Sequence, residues 1–217
     1  PQPMQQQAMD GQLDFAAMGA MLRQAQAGYR QQELLAILHT LPEYDKLHRV
    51  LDMGCATGLL GIAVIADKPE RTGVLFDQLP AALIEESIGQ AGLEGRAEAV
   101  SGNFLTDDLG VGYDLILAVS VMLFAKGRMD ALLKKCYDAL NPGGVMLVIS
   151  EGIAPDHTGP WDMTLGYLPY YMQGMDMGVL KNEVSDAAAQ VGFRCEKRTE
   201  LLCSGWQDID ILRKIEK

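Results

Sequence analysis

The run Val50 to Gly58, V-L-D-M-G-C-A-T-G, constrains the fold more than any other stretch of the chain. Two apolar residues end in an acid, and three small residues follow in quick succession before the apolar segment Leu59 to Ala66. That pattern predicts a buried strand turning sharply into a helix, and such a turn is where an α/β protein keeps a ligand. Gly54, Ala56 and Gly58 would let the backbone approach the ligand without Cβ clashes, and the opening of the helix is expected to offer unpaired N–H groups. As a dinucleotide fingerprint, G-x-G-x-x-G, the stretch fails, because the third position from Gly54 is Ala56 and the sixth is Leu59. An ordinary βα turn with a stray acid is the plainer alternative. Asp52, at the strand end, is expected to point its charge into the crevice, where it repels a pyrophosphate and attracts a cation.

The rest of the chain alternates in the same manner. Residues 1–10 are Gln-rich and without a core pattern, as a linker or a cut end would be. Apolar residues spaced by three and four from Phe15 to Leu38 predict two amphipathic helices, closed by Pro42. They cover the sheet, with Phe15, Met18 and Met21 as candidates for the roof of a substrate pocket. Thr72 to Phe76 reads as a second strand ending in Asp77, an acid able to accept both ribose hydroxyl protons. Ala97 to Val100 is a third strand, followed by Gly102, Asn103 and Phe104. Asp114 to Ser120 is near-continuously apolar, as a central parallel strand is. Arg128 to Leu140 is a helix, stopped by Asn141-Pro142-Gly143-Gly144, and Val145 to Ser150 is the fifth strand. An irregular insert rich in Tyr and Met follows Glu151 and contains Trp161, Met163, Tyr167, Tyr170, Tyr171, Met172, Met175 and Met177. It reads as packing over the strand ends or as a substrate-facing wall. A last helix, Lys181 to Val191, precedes two strands, Phe193 to Leu202 and Ile209 to Arg213. The expected fold is α/β: a doubly wound, seven-stranded, mostly parallel sheet with an antiparallel last strand. Residues 1–45 would be a linker with cap helices and 46–217 the ligand-binding domain.

A formal charge of −11 leaves no basic stripe for nucleic acid. No apolar run reads as a membrane span and no signal peptide is visible. Cys55, Cys136, Cys195 and Cys203 lack C-x-x-C spacing and the three histidines are scattered, so no metal site is expected and a reduced, cytoplasmic setting is the simplest reading.

The acid-glycine turn resembles motif I of the class I methyltransferases, D-x-G-x-G-x-G, with Ala56 for the middle glycine. A-L-N-P-G-G-V-M-L-V-I-S-E resembles the L-x-P-G-G-x-L entry to their fifth strand. Further pieces are similar to small-molecule O-methyltransferases that carry an N-terminal winged-helix dimerisation domain: F-A-A-M at Phe15, F-D-Q-L-P at Phe76, S-G-N-F at Ser101 and A-A-A-Q-V-G-F before Phe193. The resemblance implies S-adenosylmethionine as cofactor, a sulfonium and ammonium compound without phosphate, and S-adenosylhomocysteine as product. It places Asp52, Gly54, Cys55, Ala56, Gly58, Asp77, Gln78, Gly102, Asn103, Phe104 and Ser120 around that cofactor. Gly102-Asn103 stands where the family has Gly-Asp, whose carboxylate takes the adenine amino group. It implies a small, aromatic or apolar acceptor against Phe15, Met18, Met122, Leu123, Tyr167 and Tyr170, and a homodimer chiefly where the dimerisation domain, absent from this sequence, is present.

One departure bears on chemistry. Leu123 occupies the position of the family's general-base His, and Phe124 that of the adjoining Asp. Glu151 and Glu183 match the acids that flank that His and are candidates to take the proton themselves, with His157 as a third. The plainer readings are a polar strand end for Glu151 and a solvated helix acid for Glu183. A protein that binds the cofactor without transferring its methyl is the alternative function. A nicotinamide oxidoreductase rests only on the shared fold type.

Overall fold

The computed structural model describes residues 15 to 215 except 175 and 177, with side chains from residue 19 onward. The expected linker at 1–10, Met175, Met177 and the side chains of Phe15 and Met18 lie outside the described residues.

Seven strands form one sheet of order β3-β2-β1-β4-β5-β7-β6. They are β1 (Arg49–Met53), β2 (Thr72–Asp77), β3 (Ala97–Ser101), β4 (Tyr113–Val119), β5 (Leu140–Ser150), β6 (Phe193–Leu202) and β7 (Gly205–Lys214). β1 to β5 pair in parallel, and β7 runs antiparallel between β5 and β6. The fold class is the one expected. The helices are α1 (Phe15–Gln26), α2 (Tyr29–His39), α3 (Leu59–Ala66), α4 (Ala81–Ala91), α5 (Met129–Ala139), α6 (Trp161–Tyr171) and α7 (Glu183–Val191).

The central strands read as unbroken apolar runs because both sheet faces are covered. Leu51, Met53, Ile116, Ala118, Met146 and Val148 belong to one core with the apolar stripe of α5, Met129, Leu132, Leu133 and Cys136. Val50, Leu115, Leu117, Val145, Leu147 and Ile149 belong to the other, with Leu34, Ile37 and Leu38 of α2 and the apolar residues of α3. The period of two along each strand therefore sorts side chains between two cores rather than between core and water.

Four elements differ from expectation. Met21 and Tyr29, read as part of the apolar stripes, are exposed, so α1 and α2 bury less than their spacing suggests. The insert after Glu151 holds a helix, α6, with Pro169 inside it and none of its side chains fully buried. β5 begins at Leu140 rather than Val145: Tyr113 pairs with Leu140 and Leu115 with Val145, so residues 141–144 bulge opposite Asp114 alone. Asn141 closes that bulge, its Nδ2 donating to Asp114 Oδ1 (2.7 Å) and the Gly112 carbonyl (3.1 Å).

Candidate active site

β1 delivers its acid to the carboxyl end of the sheet, and the chain then doubles back through Gly54 to Gly58 into α3. The turn spends its donors on itself. Gly54 N and Cys55 N both donate to the Phe76 carbonyl (2.8 and 3.1 Å) and Gly58 N to the Cys55 carbonyl (2.9 Å). Ala56 N donates to Asp77 Oδ2 (2.8 Å). These turn N–H groups are therefore taken; at the opening of α3, where the unpaired N–H groups are expected, Gly58 N and Gly61 N are also paired, the latter with Asp52 Oδ2. The glycines too serve packing. Gly54 and Gly58 have φ of 71° and 82°, and a Cβ would lie 2.4 Å from Val121 Cγ1 at the first and 2.9 Å from Leu75 Cδ1 at the second. Ala56 holds φ 53° without being glycine, a conformation costing roughly 1–2 kcal/mol.

Asp52 is also corrected. Its carboxylate does not face the crevice but is buried beneath α3, accepting the Gly61 N–H at 2.8 Å. Burial, outweighing that hydrogen bond, and then the charge of Asp77 push its pKa up to about 7. Cys55 is likewise turned inward, and burial raises its thiol well above the usual range; only its backbone faces the turn.

Sequence reasoning missed what α1 and α2 do here. Gln26, at the end of α1, donates from Nε2 to the Cys55 carbonyl (3.0 Å) and accepts from Thr57 Oγ1 (3.1 Å). Gln31 of α2 donates to the Leu59 carbonyl (2.9 Å), and Arg23 donates to Ser87 of α4 (2.8 Å). The cap is fastened to the glycine turn by amides, which carry no periodic signal in a sequence.

Asp77 ends β2 facing the turn, its second oxygen accepting the Leu79 N–H at 2.9 Å; each oxygen keeps a further lone pair. Gln78 beside it is exposed. Gly102 N donates to the Asp77 carbonyl (2.8 Å), which brings the residues after β3 alongside. Asn103 is half-buried, with Oδ1 accepting the Leu105 N–H at 3.0 Å. Phe104 departs from expectation: its ring is in the core beneath Gly54, edge-on to Phe124. Ser120, at φ 56°, follows β4 and receives a long 3.5 Å bond from Arg30 Nη2.

Beyond β5, Glu151 is 4% exposed; Oε1 accepts the Tyr167 hydroxyl at 2.8 Å and Oε2 has no partner among the described residues. Burial, then Glu151 itself, raises the Tyr167 pKa, so Tyr167 stays a neutral donor. Tyr167 and Tyr170 have ring centroids 6.0 Å apart, and His157, at φ 57° on the exposed loop, lies edge-on to Tyr171 at 5.0 Å. Tyr171 in turn has its pKa raised by burial and by the charges of Asp176 and Glu151. Glu183 is not drawn into this group by any hydrogen bond: its Oε2 accepts the Leu180 N–H (2.9 Å) at the start of α7. Met122 is corrected from substrate wall to core, buried because the short 3₁₀ turn Met122–Ala125 aims it inward; Leu123 is half-buried. Among the described residues no group of three or more His, Cys, Asp or Glu gathers as a metal site would, and no helix is long and apolar enough to cross a membrane.

Residues 51–146 match a sequence family described as "Methyltransferase domain". The chain is 30% identical over 122 residues to 3-hydroxy-5-methyl-1-naphthoate 3-O-methyltransferase of Streptomyces sahachiroi, covering 55% of this chain and 35% of that one. It is 25% identical over 162 residues to L-tyrosine C(3)-methyltransferase of Streptomyces lavendulae, covering 73% and 44%. The chain thus spans less than half the length of these relatives. A solved O-methyltransferase family protein from Burkholderia thailandensis shares the fold, with a TM-score of 0.79 at 16% identity over 97% of this chain and 63% of its own.

Proposed function

We propose that this chain, a methyltransferase domain of the class I S-adenosylmethionine-dependent type, akin to the catalytic part of small-molecule O-methyltransferases, binds that cofactor and methylates a small aromatic hydroxyl compound. The observation that carries the cofactor reading is the inward-turned glycine loop with Asp77 bonded across it. The half-buried carboxylate of Asp77 beside this turn suits a ligand made of donors and positive charge and repels a pyrophosphate. Asp77 would take the ribose hydroxyls, Asn103 and Gln78 the adenine side, and Gly54, Ala56, Gly58, Gly102 and Ser120 the walls. Residues 1–45 would supply the linker and cap helices and 46–217 the catalytic unit. When bound, S-adenosylmethionine supplies an electrophilic sulfonium methyl and leaves as S-adenosylhomocysteine.

What remains for the protein is to orient the acceptor, exclude water and remove its proton. We assign the last to Glu151, whose buried side chain has one oxygen held by Tyr167 and the other without a partner among the described residues. Glu151 Oε2 would take the proton of the acceptor hydroxyl, whose oxygen would receive the methyl that the cofactor supplies as its S–CH3 bond breaks. Tyr167, Tyr170 and Leu123 would line the acceptor side, with Phe15 and Met18 from the cap; Glu183, committed to α7, and His157, on an exposed loop, take lesser parts. Transfer of labelled methyl from S-adenosylmethionine to a panel of hydroxynaphthoates tests this. Glu151→Gln is expected to lower turnover by roughly 10²–10⁴-fold without weakening S-adenosylhomocysteine. Unchanged turnover removes Glu151 from the role of base.

A second reading, favoured by Leu123 where the resemblance implies a His, is transfer to an atom that needs no such base. The relative from Streptomyces lavendulae is named for a carbon acceptor. Product from L-tyrosine with none from the naphthoates supports it.

A further inference from the structure

The chain leaves β5 through Glu151 and Gly152, the latter at φ 59°. Gly152 lies against a charged side chain of the neighbouring strand: a Cβ there would fall 2.5 Å from Asp208 Cγ and 2.8 Å from each of its carboxylate oxygens. Asp208 is 3% exposed and stands opposite Ser150 in the pairing of β5 with β7, so the residues on both sides of Glu151 meet it. Two groups of β6 hold Asp208 in turn. Thr199 Oγ1 donates to Oδ1 at 2.9 Å, and Lys197 Nζ stands 2.7 Å from Oδ2. Lys197 is itself fixed by donating to Asn182 Oδ1 at 2.9 Å. Desolvation offsets most of what a buried ion pair adds to stability, but a carboxylate with both oxygens engaged keeps one orientation.

We infer that Asp208 is a positioning residue for Glu151, seating the Gly152 turn so that Glu151 keeps one oxygen on Tyr167 and presents the other to the acceptor. Its effect on turnover rests on the proposed role of Glu151 as base, whereas the seat itself rests on the Gly152 and Tyr167 contacts. A base displaced by about 1 Å can lose on the order of 10²-fold in rate. A residue that never touches the acceptor can therefore govern turnover through this turn.

Asp208→Ala, alone and combined with Glu151→Gln, tests this. Asp210 stands opposite Lys197 in the pairing of β6 with β7, and its Oδ1 has no partner among the described residues, so it can take over the lysine in the variant. Asp208→Ala is expected to lower kcat about 10- to 100-fold, with KM for the acceptor and the affinity for S-adenosylhomocysteine changed less than about twofold. Asp208→Asn, which keeps the shape of the seat, should recover part of the loss. In the Glu151→Gln background the same substitution should cost less than about twofold, because the group it positions no longer acts. The Tyr167 hydroxyl supplies a readout that needs no turnover. Burial, Glu151, Tyr170 and Tyr171 all raise its pKa, and release of Glu151 in Asp208→Ala should lower its titration midpoint by at least about one pH unit. Carbon NMR of ring-labelled tyrosine follows it, with Tyr167→Phe giving the assignment. An equal loss of kcat in both backgrounds, or an unmoved Tyr167 midpoint, overturns the inference. If Glu151→Gln turns over as the wild type does, or no acceptor is methylated, the base reading fails and the midpoint alone decides the seat: a fall supports it and no change overturns it. Should Asp208→Ala not fold, Thr199→Val, which removes one bond to Asp208 from an exposed position, carries the same comparisons with losses of about 2- to 10-fold.

Discussion

Gly61 shows how much of the site is fixed by a single missing carbon. A Cβ there would lie 2.4 Å from Leu75 Cδ2 and 2.8 Å from both Cβ and Oδ2 of Asp52. Gly61→Ala is therefore expected to destabilise the protein by about 1–3 kcal/mol through overpacking. Gly89→Ala, in the helical stretch where the nearest atom is Glu94 Oε1 at 3.6 Å, should be neutral or stabilising by up to about 1 kcal/mol. Denaturant melts of the two variants check this, and equal losses would contradict it. The sequence made Asp52 conspicuous by its place before the glycines, but not its direction. Its partner lies nine residues on, in a helix whose own apolar run gives no sign that it leaves room for a carboxylate. Asp77 was legible because the distance from the turn identifies the end of the next strand. Phe104 and Met122 misled because an apolar side chain beside a crevice and one beneath it look alike in a sequence.

At the scale of elements, the cap is the part least visible beforehand. The spacing of Leu34, Ile37 and Leu38 announces the buried stripe of α2, whereas Gln26 is the last residue of α1 and bonds to a loop far along the chain. Gln26→Leu leaves the buried Thr57 hydroxyl without its acceptor and the Cys55 carbonyl with the Gly58 N–H alone, a loss of roughly 1–3 kcal/mol. Faster amide exchange at Gly54 to Gly58 is expected in that variant; wild-type exchange rates there would show that the clamp is incidental. Helix α6 escaped notice for a different reason. Gly166 and Pro169 are poor helix residues, and the exposed Trp161, Leu165, Leu168 and Met172 do not point to a core.

For the whole molecule, alternating βα units and a final strand pair made the doubly wound sheet with its antiparallel last strand readable, while strand order and side-chain directions were not. The same burial that hides polar groups sets a pH dependence. Asp52 has its pKa raised to about 7, and Asp210, 1% exposed on β7, to about 6 by burial and the charges of Asp208 and Asp186 against Lys197. An unfolded aspartate titrates near 3.9, so between about pH 4 and 7 the native state holds more protons than the unfolded chain. Stability therefore falls as pH rises through that window and levels off above it. Denaturant melts at about pH 4.5 and pH 8 should show the wild type less stable at the higher pH, and Asp210→Asn should narrow the difference; an unaltered difference would place the titration elsewhere.

The central claim is that the self-satisfied glycine turn and Asp77 form the seat of an S-adenosyl cofactor. Calorimetric titration of S-adenosylhomocysteine into the wild type and Asp77→Ala tests it most directly. The account predicts one site in the wild type and an affinity lowered at least about tenfold in the variant, as loss of a charged hydrogen-bond acceptor requires. Absence of binding to the wild type, or equal affinity in the two proteins, would contradict it.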